Sequence, residues 1–471
     1  MRLTLAEIAA ATGGQILGGD PDAAVTSYSI ESRALAPGAL FVALRAERDG
    51  HDFVADALDR GAAGALVSKP VEGVRLVLVD DTTAALTALG AAARRRLAGV
   101  PVVGITGSTG KTSTKDLTAA ALGPAGPVGA SPVSFNNEIG VPLTLLSAPD
   151  GAVAVVAEMG ARGVGHIARL CGLARPTVGV ITNIGMAHAE FFGSREDVAR
   201  AKGELLEALP GAGYAVLSAD DDMTPALRLR TAAPVLTAGA AAGADLRVSG
   251  LRLDDELRPA FRLETPWGAI VVPPLPVRGA HQAGNAALAV AVAGALGVGL
   301  DAAVAGLAAA VGSPWRMELR RSPGGLVVLN DSYNANPTSM AAAVDALASL
   351  SGGGRRFAIL GPMAELGAHA TEEHHRLGKL VAAAGVDTLV VVAGPPPPGR
   401  PDAGPSPDLA ALAEGAQESG VEAVVAEGPA AAVAALAPRL RSGDAVLVKA
   451  SRVAGLERVA EALLRWPEPP S

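Results

Sequence analysis

The sequence has a single cysteine, Cys171, among 471 residues. An intrachain disulfide and a cysteine-based metal cluster are therefore both excluded. The sequence also lacks an excess of basic residues, because its formal net charge at pH 7 is -8. Proteins that bind nucleic acids or membrane surfaces usually present a basic face, so this balance argues against both classes.

Long uninterrupted apolar segments are missing as well. The alanine-rich stretch 283–296 is too short and too interrupted by glycine to span a bilayer. The first residues, MRLTLAEIAAATGG, lack the long apolar core of a signal peptide and favour a short amphipathic helix. We therefore expect a cytoplasmic protein that binds neither nucleic acid nor membrane.

The order of apolar and polar segments predicts an α/β protein of three domains. A chain of 471 residues with 49% hydrophobic and 18% charged residues is too long for one core. We expect an N-terminal α/β domain (1–98), a central domain with a mostly parallel sheet (99–315) and a doubly wound C-terminal domain (316–471). Strand and helix patterns alternate in the last two, as in βαβ units. The Pro- and Gly-rich stretch 395–407 favours a flexible loop.

The stretch PVVGITGSTGKTSTKDL (101–117) has the pattern of a phosphate-binding loop between a strand and a helix. The usual motif is G-x-x-x-x-G-K-[ST], but Ile105 stands where its first glycine would be, so GSTGKT (107–112) is a shorter form. Amide groups at the start of the helix favour an anion. We expect Lys111 to reach the phosphates and the Thr112 hydroxyl to bind Mg²⁺.

Polar residues at the ends of other strands are further candidates, each with a plainer reading. Glu158 ends the strand pattern AVAVVAE and suits Mg²⁺ near a phosphate loop, with a solvated strand end as the less favoured alternative. His188, in TNIGMAHAEFFG, is as compatible with a structural role. For Lys202, in AKGELLEAL, the residues alone favour an exposed surface lysine.

The third unit and the first carry two more groups of polar residues. Asp331 opens the loop NDSYNANPTSM, which favours either a ligand site or an ordinary Asx-rich turn. Arg316 follows the predicted linker Gly-Ser-Pro (312–314) and either reaches a phosphate or is solvated. In the first unit, Ser29, Ser32 and Arg33 are candidates for a further polar ligand.

Nine segments occur in the order in which the Mur ligases carry similar ones, and the sequence resembles this family over nearly its whole length. They are TGSTGKTSTKD, NNEIGVPLTLL, AEMGARGVGHI, TNIGMAHAEFFGS, AKGELLEAL, GAHQAGNAALA, NDSYNANPTSM, GPMAELG and VLVKASR. Mur ligases are ATP-dependent amide-bond ligases of peptidoglycan precursor synthesis. In NDSYNANPTSM and GPMAELG the chain resembles one member of the family in particular, and this resemblance implies that the substrates are UDP-N-acetylmuramoyl-tripeptide and D-alanyl-D-alanine.

The resemblance implies a role for each domain. The N-terminal domain would hold the UDP end of the substrate, and the central domain would be the ATPase. The C-terminal domain, Rossmann-like, would close over the site with the incoming amine. ATP would phosphorylate a carboxylate, and the amine would then attack the acyl phosphate. By analogy the protein would be a monomer.

The resemblance also implies roles for individual residues. ATP would contact Gly107, Ser108, Thr109, Gly110, Lys111, Thr112, His281, Asn285, Arg316 and Asp331. Magnesium ions would be held by Thr112, Glu158, His188 and a carbamylated Lys202. Lys111, Glu158, His188 and Lys202 would form the catalytic set. The substrates would contact Ser29, Ser32, Arg33, Asn136, Asn137, Asn334 and Asn336.

Other functions remain possible at this point. A diamino-acid-adding Mur ligase would carry a D-N-P-R-type motif in the third domain, which the sequence lacks. A folylpolyglutamate synthase-like ligase would lack the N-terminal UDP-binding unit. A P-loop NTPase switch would have no amine-acceptor loop such as NDSYNANPTSM, and a degenerate, binding-only relative would have lost Lys111 or Glu158. The third residue of the peptide, lysine or diaminopimelate, is left open.

Overall fold

The computed structural model describes residues 1–71, 75–185, 189–350, 352–393 and 406–467. Its strands form one two-stranded pairing and sheets of five, nine and six strands. Most neighbouring strands in the larger sheets are parallel, so the predicted α/β class is confirmed. Within the described ranges, no helix combines the length and apolar character needed to cross a membrane.

The first unit contains the two-stranded pairing β1–β3 and the five-stranded sheet, in the order β2-β7-β6-β5-β4. The predicted N-terminal helix is α1, whose first turn is closed by reciprocal hydrogen bonds between Thr4 and Glu7. The elements are β1 (Leu3–Thr4), α1 (Leu5–Thr12), β2 (Gln15–Leu17), β3 (Ala24–Val25), β4 (Ser27–Ser29), β5 (Ala39–Val42), α2 (Val54–Asp59), β6 (Gly64–Val67), β7 (Leu76–Leu78) and α3 (Thr82–Arg96).

The second unit is built on the nine-stranded sheet, in the order β16-β15-β14-β13-β12-β11-β8-β10-β9. The neighbouring strands from β9 through β8 to β14 run parallel, and β14, β15 and β16 form antiparallel hairpins. The elements are β8 (Val102–Thr106), α4 (Lys111–Leu122), β9 (Val128–Ala130), α5 (Gly140–Leu146), β10 (Ala154–Glu158), α6 (His166–Ala174), β11 (Val178–Ile181), α7 (Ala189–Phe192), α8 (Arg195–Glu207), β12 (Tyr214–Ser218), α9 (Thr224–Arg228), β13 (Val235–Gly239), β14 (Leu246–Leu253), β15 (Pro259–Thr265), β16 (Gly268–Val272), α10 (Gln282–Ala295) and α11 (Leu300–Ala308).

The third unit has the six-stranded sheet, in the order β17-β18-β22-β19-β20-β21, parallel except for β17. Most of the stretch predicted as a loop, 395–407, lies outside the described residues, and its last residue, Pro407, begins α14. The elements are β17 (Glu318–Arg321), β18 (Val327–Asn330), α12 (Pro337–Ala348), β19 (Arg356–Leu360), α13 (Ala370–Ala383), β20 (Thr388–Val392), α14 (Pro407–Glu418), β21 (Glu422–Ala426), α15 (Pro429–Leu436), β22 (Ala445–Lys449) and α16 (Glu457–Leu463).

Packing is continuous from the first unit into the second. One apolar core joins α1 and α3 to α5, α6 and α8, and it includes Leu86, Leu89, Val141 and Leu205. Helices α3 and α5 approach so closely that a side chain at Gly90 would meet Pro142. The division at residues 98 and 315 therefore stays a prediction, and the core does not separate at the first of these positions.

The strands that carry the phosphate loop are buried from end to end. Helices cover both faces of β8, β10 and β11, which explains why these strands are continuous apolar runs. Parallel strands bring their carboxyl ends to one edge of the sheet, and polar side chains at that edge converge.

Candidate active site

A cleft of about 930 Å³ opens at the carboxyl ends of the central strands. Residues from the second and third units line it together. The predicted site residues among its lining are Ser108, Thr109, Gly110, Lys111, Thr112, Asn136, Asn137, Glu158, Lys202, His281, Asn285, Arg316, Asp331, Asn334 and Asn336.

The phosphate loop connects β8 to α4, as the sequence predicts. Gly107 and Gly110 have φ angles of 152° and 77°, which glycine adopts without strain. A Cβ atom at Gly107 would lie 1.8 Å from Thr182 Oγ1, so no larger residue fits there. Lys111 Nζ donates to the main-chain oxygen of Gly107 at 2.7 Å, which places the ammonium group over the loop.

Glu158 ends β10, which pairs directly with the phosphate-loop strand β8. Its side chain is 1% exposed, so the solvated strand-end reading is wrong. One carboxylate oxygen accepts from Thr112 Oγ1 at 2.8 Å, and the other accepts from Ser134 Oγ at 2.7 Å and from Asn136 Nδ2 at 2.8 Å. The carboxylate therefore lies against the end of the phosphate loop.

The electrostatic setting keeps Glu158 ionised. Burial alone would raise its pKa, but the positive charges of Lys111 and Arg316 and the hydrogen bonds from Ser134 and Asn136 together lower the pKa below the ordinary value. Burial lowers the pKa of Lys111, and the Glu158 carboxylate opposes that shift. The site thus pairs the ionised Glu158 carboxylate with the Lys111 ammonium group beside the loop.

Two oxygen donors, the Thr112 hydroxyl and the Glu158 carboxylate, meet at this point and fit Mg²⁺, which prefers oxygen ligands completed by phosphate and water. The third predicted ligand, His188, lies outside the described residues. Among those described, no group of three or more His, Cys, Asp or Glu side chains is placed to hold a metal ion.

Lys202 lies on α8 with 1% of its surface exposed, so the surface-lysine reading is wrong. Its Nζ donates to the Gly107 main-chain oxygen at 3.0 Å, the same oxygen that Lys111 contacts. Burial, and then the nearby charge of Lys111, lower the pKa of Lys202 well below its usual range. Two residues further on, the buried Glu204 accepts from the amides of Gly165 at 2.5 Å and Ala168 at 2.9 Å, which fixes the start of α6.

His281 and Asn285 lie at the start of α10, beside the phosphate loop. Asn285 Nδ2 donates to Gln282 Oε1 at 2.9 Å. A Cβ atom at Gly110 would lie 2.9 Å from Asn285 Oδ1, so this asparagine is next to the turn into α4. The His281 side chain is exposed within the cleft.

Arg316 lies in a strained stretch of chain between the second and third units. Both of its neighbours, Trp315 and Met317, have positive φ angles, of 58° and 53°. The Arg316 guanidinium stacks on the Tyr333 ring, with its Cζ atom 4.2 Å from the ring centre. Within the described part of the chain, its buried Nε has no hydrogen-bond partner, which suits a group that awaits an anion.

Asp331 follows β18 and connects this stretch to the third sheet. One of its carboxylate oxygens accepts from the Met317 amide at 3.0 Å. The other accepts from Lys449 Nζ at 2.5 Å, and Lys449 also donates to the Asn334 main-chain oxygen at 2.7 Å. Lys449 is 1% exposed at the end of β22. This lysine stands in the segment VLVKASR, and the sequence pattern alone predicts no role for it.

The other predicted asparagines have structural bonds of their own. Asn336 Oδ1 accepts from the Ser339 amide at 2.9 Å and caps α12, so the turn reading holds for this part of the loop. Asn137 Oδ1 accepts from the amides of Ile139 at 3.2 Å and Gly140 at 3.0 Å, at the start of α5. Asn334 has an exposed side chain.

The three candidates of the first unit are not among the residues that line the cleft. Ser29 Oγ donates to the main-chain oxygen of Glu31 at 3.0 Å, Ser32 is buried and Arg33 is exposed. The structure does not bring them together with the phosphate loop, and their ligand stays a prediction.

Sequence reasoning also missed residues that hold the phosphate loop. Asn183 accepts from the amide of Thr109 at 2.9 Å, and Thr182 Oγ1 donates to the Thr109 main-chain oxygen at 2.5 Å. Both residues follow β11 and stand in the segment that also contains His188, TNIGMAHAEFFG. The signal in the sequence is their position directly after the apolar run 178–181, because the carboxyl ends of parallel strands meet at one edge of a sheet.

Comparison with known proteins gives matches along nearly the whole chain. Residues 105–293 match the Mur ligase middle domain and residues 315–452 match the Mur ligase, glutamate ligase domain. A UDP-N-acetylmuramoyl-tripeptide–D-alanyl-D-alanine ligase from Mycobacterium bovis is 41% identical over 98% of both chains.

Two solved structures are similar to the chain in fold and sequence. MurF from Acinetobacter baumannii has a TM-score of 0.82 at 30% identity and covers 99% of both chains. MurF ligase from Thermotoga maritima, solved in complex with ADP, has a TM-score of 0.74 at 30% identity, over 94% of this chain and 97% of that one.

Proposed function

This chain belongs to the Mur ligase family, and from that premise we propose that it joins D-alanyl-D-alanine to UDP-N-acetylmuramoyl-tripeptide with ATP, in peptidoglycan precursor synthesis. The observation that carries the proposal is that one cleft is lined both by the phosphate loop and by the loop that begins at Asp331. The relative from M. bovis has this activity in its name and is similar over its full length.

The reaction needs activation because a carboxylate does not condense with an amine in neutral water. A carboxylate oxygen of the tripeptide attacks the γ-phosphorus of ATP, which gives an acyl phosphate and ADP. The amine of D-alanyl-D-alanine then attacks the acyl carbon and expels inorganic phosphate. Lys111, over the phosphate loop, stabilises the charge that develops during phosphoryl transfer.

ATP binding is supported by the ADP complex of the T. maritima relative. For this chain we assign the phosphates to residues 107–112, the adenine side to His281 and Asn285, and further contacts to Arg316 and Asp331. The Arg316 guanidinium, fixed on Tyr333, supplies a positive charge from the connection to the third unit. Such a charge pairs well with phosphate oxygens.

We assign Mg²⁺ to Thr112, Glu158 and His188. When bound there, the ion would neutralise phosphate charge and align the transferred group. The Glu158 carboxylate is held by three donors and stays ionised, so it needs no rearrangement to accept a cation.

We further propose that Lys202 is carbamylated and holds a second magnesium ion. The carbamate forms from CO₂ and an unprotonated amine, and Lys202 is a buried amine with a lowered pKa. Its Nζ donates to the neutral main-chain oxygen of Gly107, an acceptor without the negative charge that would favour the ammonium form.

The substrates are assigned to the remaining candidates. The UDP end is assigned to Ser29, Ser32 and Arg33, and the peptides to Asn136, Asn137, Asn334 and Asn336. Asn136 already donates to Glu158, so we assign it to orienting that carboxylate as well. We place the reaction in the cytoplasm, where ATP and UDP-linked sugars are made, and expect a monomer.

The acyl phosphate reacts with water if water reaches it, so the third unit has a clear task. Its residues line the same cleft as the phosphate loop, and closing that cleft around both substrates would exclude water.

The test is phosphate release by the purified protein with ATP, Mg²⁺ and UDP-N-acetylmuramoyl-tripeptide, with and without D-alanyl-D-alanine. We expect release to require both peptides and a UDP-linked pentapeptide to appear by mass spectrometry. Parallel reactions with lysine and diaminopimelate tripeptides decide the third residue. Release without any dipeptide would favour the NTPase reading, and activity only with another amine would favour a different ligase.

A further inference from the structure

The segment that follows β11, residues 182–185, lies directly against the first half of the phosphate loop. Thr182 Oγ1 donates to the main-chain oxygen of Thr109 at 2.5 Å. Ser108 Oγ donates to the Gly185 oxygen and accepts from the Gly185 amide, both at 2.9 Å. The two segments are therefore hydrogen-bonded along their length.

Asn183 is at the centre of this contact. Its Oδ1 accepts from two successive loop amides, those of Ser108 at 3.1 Å and Thr109 at 2.9 Å. Its Nδ2 donates to Thr109 Oγ1 at 2.5 Å, which fixes the amide orientation. Its main-chain oxygen accepts from the Ser108 amide at 3.0 Å. One side chain thus satisfies two main-chain donors and one hydroxyl of the loop.

The segment that carries Asn183 is itself held from the far side. The Ile184 amide donates to Asp221 Oδ2 at 2.5 Å. The Ile184 oxygen accepts from Arg195 Nε at 2.8 Å. Asn183 is therefore a fixed support for the loop, because the residue that follows it is anchored through both its amide and its main-chain oxygen.

These contacts divide the amides of the phosphate loop into two groups. The amides of Ser108 and Thr109 are bonded to Asn183, whereas α4, which begins at Lys111, has Gly110 as its N-cap and therefore no side-chain cap. The first amides of an uncapped helix need an external acceptor, and a phosphate oxygen is a suitable one. Residues 107–109 directly precede the first amides of α4. The position in which Asn183 holds these residues therefore determines whether the amides point towards the phosphate.

We propose that Asn183 is a positioning residue that fixes the phosphate loop in the conformation that binds the β- and γ-phosphates of ATP. The inference rests on the proposed function, because it assumes that this loop binds ATP. The same support also affects the positions of Lys111 and Lys202. Both lysines contact the Gly107 oxygen, which belongs to the stretch 107–109 that Asn183 holds.

The test is calorimetric binding of ADP and AMP to wild type and to Asn183→Ala. AMP lacks the β-phosphate, so it reports the binding of adenine, ribose and the α-phosphate. We expect ADP to bind about tenfold or more weakly to the variant, as expected when one or two hydrogen bonds that set a binding conformation are lost. AMP binding should stay the same. In steady-state assays the KM for ATP should rise while the KM for the UDP-tripeptide is unchanged.

Two further variants distinguish a loss of loop positioning from a general disturbance of the fold. Thr109→Val removes the hydroxyl that orients Asn183 but keeps the asparagine, so we expect a smaller loss with the same preference for ADP over AMP. Thr144→Ala is the matched control, because it removes a buried threonine hydroxyl, bonded to the Gly140 oxygen at 2.9 Å, that lies outside the cleft. It should leave both affinities unchanged.

The outcomes separate this inference from the function it rests on. Suppose that wild type binds ADP and forms the pentapeptide, but that neither Asn183→Ala nor Thr109→Val weakens ADP binding more than AMP binding. Asn183 then does not position the loop. Equal losses for ADP and AMP would overturn the inference in the same way. Tighter ADP binding to Asn183→Ala would mean that the asparagine competes with phosphate. If wild type itself does not ligate the peptides, the proposed function fails, whatever the variants do.

Discussion

Replacing Lys449 with methionine removes the cation that holds the loop after β18. In the structure, Lys449 Nζ donates to Asp331 Oδ2 at 2.5 Å and to the Asn334 oxygen at 2.7 Å, and the two paired side chains are 2% and 13% exposed. Methionine keeps the length of the side chain but leaves the Asp331 carboxylate buried without its cation. The perturbation is therefore local and electrostatic.

The expected magnitude follows from that burial. Removing one partner of a buried ion pair costs about 3–5 kcal/mol. For a unit of about 150 residues, each kcal/mol lowers the melting temperature by about 2–4 °C, so the C-terminal unit should melt about 6–20 °C lower. A loss of this size is a large share of the stability of a typical domain, which is about 5–15 kcal/mol.

The assay is differential scanning calorimetry, with hydrogen exchange to locate the loss in β18 and β22. Lys379→Met is the matched control in the same unit, because Lys379 makes an exposed 3.5 Å pair with Glu418 and should change stability by less than about 1 kcal/mol. Adding Asp331→Asn to Lys449→Met removes the unpaired charge and should recover more than half of the loss. The reasoning is refuted if Lys449→Met behaves like the control, or if the double variant is no more stable than the single one.

Three other substitutions test the cleft. Lys111→Ala should abolish ATP-dependent ligation and leave the circular dichroism spectrum unchanged, because it removes the phosphate-facing cation; retained ligation would refute that role. Lys202→Ala should turn over very slowly and regain part of its rate with a short-chain carboxylic acid, which replaces the carbamate; wild-type turnover would refute the carbamate. The pKa of Glu158 is lower in the folded chain than its ordinary value of 4.5, so its ionisation stabilises the fold above that pH and the contribution disappears as the pH falls through the folded-state pKa. The stability difference between metal-free wild type and Glu158→Gln in urea should therefore shrink from neutral to acid pH, and a constant difference would contradict the assignment.

The parts of the site that the sequence predicts are those defined by a short stretch of chain. The phosphate loop is recognisable because its glycines, its lysine and the start of α4 are consecutive. Glu158 is predictable from its place at the end of an apolar strand, because parallel strands end at one edge of the sheet.

The parts that the sequence does not predict depend on contacts between distant residues. Lys449 is 118 residues from Asp331 in the chain, and Asn183 is 74 residues from Thr109. No local pattern separates a buried lysine from an exposed one, so Lys202 is interpreted as a surface residue until the family resemblance is considered. Asn336 shows the opposite case, since its polar loop suggests a ligand and its side chain caps a helix.

The central claim is that the tripeptide carboxylate is phosphorylated before the amide bond forms. The most direct test is to label that carboxylate with ¹⁸O, run the reaction with unlabelled ATP and D-alanyl-D-alanine, and analyse the released phosphate by mass spectrometry. An acyl phosphate transfers one carboxylate oxygen to phosphate, so the account predicts one ¹⁸O atom in each phosphate formed with the pentapeptide. Pentapeptide formed together with unlabelled phosphate would contradict it.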